Sequence, residues 1–225
     1  MSIVWLLIAV FLAPINWVVS DRKVDKLVFL TKPAVMVALL AWLWSVGGSN
    51  GPLLSFFFGA LLCLAGDIFL MVPGNFFVAG LVFFMGGHIC YITGFKPNLA
   101  SFWPYGVPLA AALGLIASVI YRALAAGLSA KGIQRLRFPI LIYILVICGM
   151  VLSALLTLSH QRWHVGPAVL VSIGGLFFLA ADSLLGWNRF VRSVPHERFI
   201  GMMLYHLAQF GILIGAAWNF QLGAF

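Results

Sequence analysis

Three ionisable side chains stand inside stretches that are otherwise apolar: Lys32, Asp67 and Asp182. Charged groups within a membrane span are costly and rare, and they face a bundle interior or a water-filled cavity. Asp67 lies six residues before Pro73, and Asp182 six before Asn188, the points where their helices are expected to end. At 1.5 Å per residue each carboxylate is then roughly 9 Å inside its helix. Aspartate is too short to reach the interface from there, so both are expected to line a polar cavity at a common level. Lys32, one turn into its helix and just before Pro33, is long enough either to join that layer or to snorkel to the interface.

Other polar residues at span depth extend the set. Tyr205 and Gln209 are spaced i, i+4 and His206 and Gln209 i, i+3, so each pair can share a helix face. His88 and Tyr91 form another i, i+3 pair and are expected deeper in their helix, away from the aspartate layer. Asn75 follows Asp67 into a tight turn, and Asn188 and Arg189 follow Asp182 at the mouth of its helix. Taken singly, each of these reads as an interhelical hydrogen-bonding residue before it reads as a catalyst. Cys63, Cys90 and Cys148 are isolated thiols in apolar helices with no C-x-x-C spacing, which reads as packing.

The elements that must position these groups follow from composition. Of 225 residues 64% are hydrophobic, and only 13 are Lys or Arg and five Asp or Glu. An ordinary soluble domain carries about a quarter of its residues as charges, so a soluble fold, a nucleic-acid binder and a disordered chain are all excluded. Runs of about 20 apolar residues, the length needed to cross a bilayer, occur at 2–20, 28–46, 53–72, 76–94, 104–121, 138–158, 166–187 and 200–219. The expectation is an all-α polytopic bundle of eight transmembrane helices forming a single transmembrane domain over residues 1–225.

The loops between these spans are asymmetric. One side holds ten basic residues: Arg22, Lys23, Lys26, Arg122, Lys131, Arg135, Arg137, Arg189, Arg192 and Arg198. The other holds Lys96 and Arg162. The positive-inside rule places the basic face in the cytoplasm and both termini outside, as in a bacterial inner membrane. The first span lacks a positive n-region and reads as a reverse signal-anchor. The net charge of +8 then reflects topology and membrane lipids and requires no nucleic-acid or acidic partner.

Gly66-Asp67, Asn75-Phe76, Gly80 and His88 are echoed by Ala181-Asp182, Asn188, Phe190, Gly201 and His206. The aspartates are 115 residues apart and the histidines 118. Four helices per copy, an even number, give both halves one orientation: a parallel 4+4 repeat with its site between the halves.

The same residues, in order and spacing, resemble the YhhN family of eight-helix membrane proteins. They are Lys32-Pro33, Gly66-Asp67, Gly80 with Phe84, His88 and Tyr91, Ala181-Asp182-Ser183, Asn188-Arg189-Phe190, and Tyr205 with Gln209. The resemblance implies a lysoplasmalogenase, which hydrolyses the vinyl ether of a lysoplasmalogen to a fatty aldehyde and glycerophospho-choline or -ethanolamine, with no cofactor. A vinyl ether resists bases and hydrolyses when a proton reaches its β-carbon. Water then attacks the oxocarbenium ion and the hemiacetal collapses. One carboxylic acid and one carboxylate suffice, as in glycoside hydrolysis. Asp67 and Asp182 are the expected dyad, with neither role assigned. Lys32 and Arg189 are expected to meet substrate phosphate. Asn75, Asn188, Tyr205, His206 and Gln209, with His88 and Tyr91 behind them, are expected to orient substrate and water. Two other readings compete. A small-solute or proton-coupled transporter would also use buried aspartates and a parallel repeat. A zinc-dependent lipid amidase would need histidine ligands, and only His88 and His206 lie in spans; no metal is expected.

Overall fold

The computed structural model describes residues 2–74, 76–96 and 102–222. Eight helices, α1 (Ser2–Asp21), α2 (Asp25–Leu43), α3 (Leu54–Met71), α4 (Phe77–Phe95), α5 (Val107–Ala130), α6 (Arg137–Leu156), α7 (Val165–Phe190) and α8 (Glu197–Leu222), account for the architecture, with no strand among the described residues. All eight are long and apolar enough to cross a membrane. Their outer faces are what lipid requires and water forbids: Phe11, Leu30, Leu115 and Phe138 are 68–71% exposed. The protein is an integral membrane protein.

Among the helix limits that differ from the expected spans, three bear on the buried charges and the basic loops. α5 runs on to Ala130, because Ala117, Leu124 and Leu128 continue one buried stripe past Tyr121. Arg122 is therefore on a helix, where its exposed side chain costs nothing. α7 continues to Phe190, whose ring is buried, so Asp182 lies eight residues before its helix end. α3 stops at Met71, four residues after Asp67. Measured from their own helix ends, the two carboxylates thus stand at different depths, about 12 and 6 Å, and not at the single level expected. α2 keeps Pro33 in its interior and is prolonged by a π turn over Trp44–Gly48.

The helices alternate in direction, and the loop ends are tied together at each face. His196 Nδ1 stands 2.9 Å from Asp21 Oδ1 and Arg198 Nη1 2.8 Å from Asp25 Oδ1, joining the α1–α2 turn to the start of α8. Lys131 donates to the Arg189 carbonyl at 2.7 Å, joining the α5–α6 loop to the last turn of α7 at that same end. At the opposite end the Asn219 side chain accepts from the His164 N–H and donates to the Arg162 carbonyl. The closest helix pairs are α3 with α4 and α7 with α8. Glycine permits both approaches: a Cβ at Gly87 would lie 2.9 Å from the Gly59 carbonyl oxygen, and one at Gly174 2.9 Å from that of Ala208. Such small residues are how membrane helices gain packing where lipid is as apolar as leucine. α8 is the central helix, touching α1, α2, α3 and α7, whereas α5 lies outside against α6 and α7.

Candidate active site

The two aspartates sit in separate hydrogen-bonded clusters. Asp67, on α3, is wholly buried. Lys32 on α2 brings Nζ to 2.8 Å from Oδ1, and Tyr205 on α8 donates its hydroxyl to Oδ2 at 2.6 Å. Lys32 also lies over the Tyr205 ring, 5.5 Å from its centroid. The cluster continues from Tyr205 to Gln209 Nε2 at 3.5 Å and from Gln209 Oε1 to the Tyr91 hydroxyl, which donates at 2.7 Å. Four helices are thereby joined through buried polar groups, each of which has its counterpart.

Asp182, on α7, accepts a hydrogen bond from the Tyr143 hydroxyl on α6. His88 Nε2 on α4 is 3.2 Å from the same hydroxyl and 3.6 Å from Asp182 Oδ2. His88, expected away from the aspartates, is therefore a neighbour of Asp182. Asp182 keeps 15% of its side chain exposed, whereas His88 has none. Phe178 lies between the clusters: its ring centroid is 5.5 Å from that of Tyr205 and 4.7 Å from that of His88. Phe84 packs edge-on against both Phe178 and Tyr205.

Access distinguishes the clusters further. Asp182 lines a narrow cleft between α3, α4, α5, α6 and α7, with a cavity volume of about 50 Å³. Its walls are Leu70, Phe77, Leu81, Phe84, Ile120, Leu124, Ile140, Ile144, Ile147, Leu179, Leu185 and Phe190, with Tyr143, Asp182 and Ser183 the polar side chains among them. The cavity around the aspartates is thus apolar where a polar one was expected, and it reaches Asp182 only. Asp67 stands behind Lys32, which forms part of the wall of a second and larger space at the basic face. That vestibule is lined by Lys26, Lys32, Arg189 and Arg198, with Asp25, Asn188 and Glu197. Leu70 and Leu185 line cleft and vestibule alike, so the apolar cleft and the charged space lie side by side with these two side chains between them.

The remaining expected residues are placed as follows. Arg189 lines the vestibule with its guanidinium over the Phe77 ring, 4.3 Å from the centroid. Asn188 donates to Glu197 Oε2 at 3.0 Å and accepts the Val194 N–H, so it bridges the α7–α8 loop. His206 points away from the aspartates and accepts from Trp17 Nε1 on Nδ1 at 2.9 Å. Asn75 lies outside the described residues. Two partners were not anticipated, Tyr143 and Trp17. Tyr143 had a signal, a lone phenol in the apolar run 138–158, but nothing in its neighbours on the chain points to α7. Among the described residues no three of His, Cys, Asp and Glu converge as metal ligands would.

Comparison with known proteins adds a family to this geometry. The profile of the YhhN family matches residues 27–216. The chain is 30% identical over 193 residues to the mouse lysoplasmalogenase TMEM86B, covering 84% of this chain and 75% of that protein. It is 26% identical over 184 residues to the human lysoplasmalogenase TMEM86A, covering 78% and 72%. A lysoplasmalogenase of Mycobacterium bovis is 29% identical over 168 residues, 71% of this chain and 58% of that one. No solved structure matches.

Proposed function

The chain belongs to the YhhN family and is a membrane hydrolase of the lysoplasmalogenase kind, and we propose that it cleaves the vinyl ether of a lysoplasmalogen with Asp182 as acid and Asp67 as fixed carboxylate. The observation that carries this reading is an apolar cleft holding one carboxyl group next to a vestibule rich in cations, with Leu70 and Leu185 in the walls of both. A single-chain lipid has that shape: its alkenyl chain buries about 0.8 kcal/mol per CH₂, and its phosphate meets Arg189 and Lys26. The vinyl ether, between chain and headgroup, then lies near Asp182.

The roles follow from the neighbours. Asp67 is paired with Lys32, and a buried carboxylate with a lysine at 2.8 Å is an ion pair. Asp182 has no lysine or arginine within ion-pair distance among the described residues, and it is the carboxyl group that faces the cleft. Asp182 delivers that proton to the β-carbon, and the ether carbon becomes an oxocarbenium ion. The Asp182 carboxylate then takes a proton from the attacking water, returns it to the glycerol oxygen as the hemiacetal breaks, and takes up the hemiacetal hydroxyl proton, so that aldehyde and alcohol leave and the acid is restored. Tyr143 holds Oδ2, leaving Oδ1 for the transfer. Asp67 lies behind the Tyr205, Phe84 and Phe178 rings and is the fixed carboxylate that holds Lys32 and Tyr205 in place. The basic face is cytoplasmic in this reading and both termini are outside, as for an inner-membrane protein of a bacterium.

The test is a substrate screen on purified protein. Vinyl ether lysophospholipids should release aldehyde, while alkyl and acyl counterparts should not turn over. Hydrolysis of the acyl lipid at an equal or greater rate would replace this reading with that of a lysophospholipase.

A further inference from the structure

The vestibule carries charges of both signs, and they are not equivalent. Lys32 is committed to Asp67, and Arg198 and Asp25 satisfy each other. Glu197 has a neutral partner: its Oε2 accepts from Asn188 Nδ2 at 3.0 Å. No cation comes within ion-pair distance of it among the described residues. Asn188 is itself held by the Val194 N–H, at 3.0 Å from Oδ1, so the α7–α8 loop fixes the carboxylate in the vestibule wall with one oxygen unclaimed. A carboxylate beside Lys26 and Arg189 weakens the site for a bare phosphate. It strengthens the site for a ligand that brings a cation with its phosphate.

We infer that Glu197 is the ammonium subsite of the headgroup pocket, and that the preferred headgroup is phosphoethanolamine; the inference rests on the lysophospholipid reading above. Quaternary ammonium groups are recognised by cages of aromatic faces, and Phe29 is the one aromatic residue among those lining the vestibule. A primary ammonium instead offers three N–H donors, which a carboxylate oxygen accepts directly. Asn188 is on this account a positioning residue that acts through Glu197.

The experiment separates headgroup recognition from chemistry by using lipids that bind without being cleaved. Saturated alkyl-ether lysolipids carrying phosphoethanolamine, phosphocholine or phosphate alone are titrated into the wild-type protein and Glu197→Gln, the latter retaining an oxygen for Asn188. Wild type should bind the ethanolamine lipid roughly tenfold more tightly than the phosphate lipid, the scale of one charge-assisted hydrogen bond, with the choline lipid between them. In Glu197→Gln that ratio should fall to near one. A wild-type protein without preference for ethanolamine overturns the inference, and so does a variant that weakens all three lipids equally. Aldehyde release from a vinyl ether lysolipid is measured in parallel. Headgroup preference without aldehyde release would defeat the hydrolase reading and leave the subsite standing, and turnover with an unchanged ratio in Glu197→Gln would do the reverse.

Discussion

Around Asp67, α2 supplies a lysine and α8 a tyrosine; around Asp182, α6 supplies a tyrosine and α4 a histidine. If α1–α4 and α5–α8 are two copies of one unit, each aspartate receives one partner from the second helix of its own half and one from the last helix of the other. That exchange supports the parallel 4+4 repeat as a proposal. What differs is the chemistry placed on the shared frame. A lysine makes Asp67 half of an ion pair and seals it, whereas Asp182 has a tyrosine and a histidine beside it and stands at the edge of an apolar cleft. Two identical side chains, one on α3 and one on α7, are thereby suited to opposite tasks in the proposed reaction, Asp67 to hold the ion pair and Asp182 to pass a proton.

The sharpest way to break this comparison is to neutralise each aspartate in turn. Asp182→Asn should lower aldehyde release by roughly 10²–10⁴-fold, the usual range for losing a general acid, with no fall in the thermal unfolding temperature measured in detergent. Wild-type turnover in that variant would remove the assigned role. Asp67→Asn should instead appear in stability, costing about 3–5 kcal/mol because Lys32 is left buried and unpaired. The double variant Asp67→Asn with Lys32→Met should recover most of that loss and still turn over poorly. If the two single losses simply add, the pair is not an energetic unit.

The hydroxyl donors allow a finer cut. Tyr143→Phe should reduce kcat about tenfold with little effect on unfolding, since it alters the group that reacts. Tyr205→Phe should do the opposite and cost about 1–3 kcal/mol of stability, as expected when a buried carboxylate loses a donor. Steady-state kinetics and thermal melts on both variants decide the matter, and equal effects on kcat would blur the distinction drawn here. The smallest effect is expected in the cleft itself. Ile147→Trp, at the end of the cleft remote from the basic face, should raise KM for a long alkenyl chain several-fold and for a short one less. A uniform change across chain lengths would show that the chain lies elsewhere.

Much of the fold was legible in the chain because the bilayer permits few solutions. Backbone groups in lipid must be satisfied within a helix, so an apolar run of about 20 residues announces its own structure. The two aspartates and Lys32 were legible for the same reason, since a charge in such a run is conspicuous. Helix ends were less so: Arg122 resembles a loop residue, yet the buried Leu124 and Leu128 extend α5 beyond it. Partners across helices were least legible. Tyr143 and Asp182 are separated by 39 residues, Tyr205 and Asp67 by 138, and Trp17 and His206 by 189.

The amino-acid sequence by itself determined the solvent, the eight helices, the basic face and the three charges that had to be buried, because each follows from transfer free energies that act residue by residue. Only the tertiary structure decided how those charges are used. Lys32 could have paired with either aspartate or with neither, and His88 and His206 could have faced the same cavity. The choice depended on how far α7 extends, which way α8 turns its faces, and which aspartate the cleft reaches. Those are properties of helices packed against one another, where glycines set the approach and one added turn moves a carboxylate by about 5.4 Å.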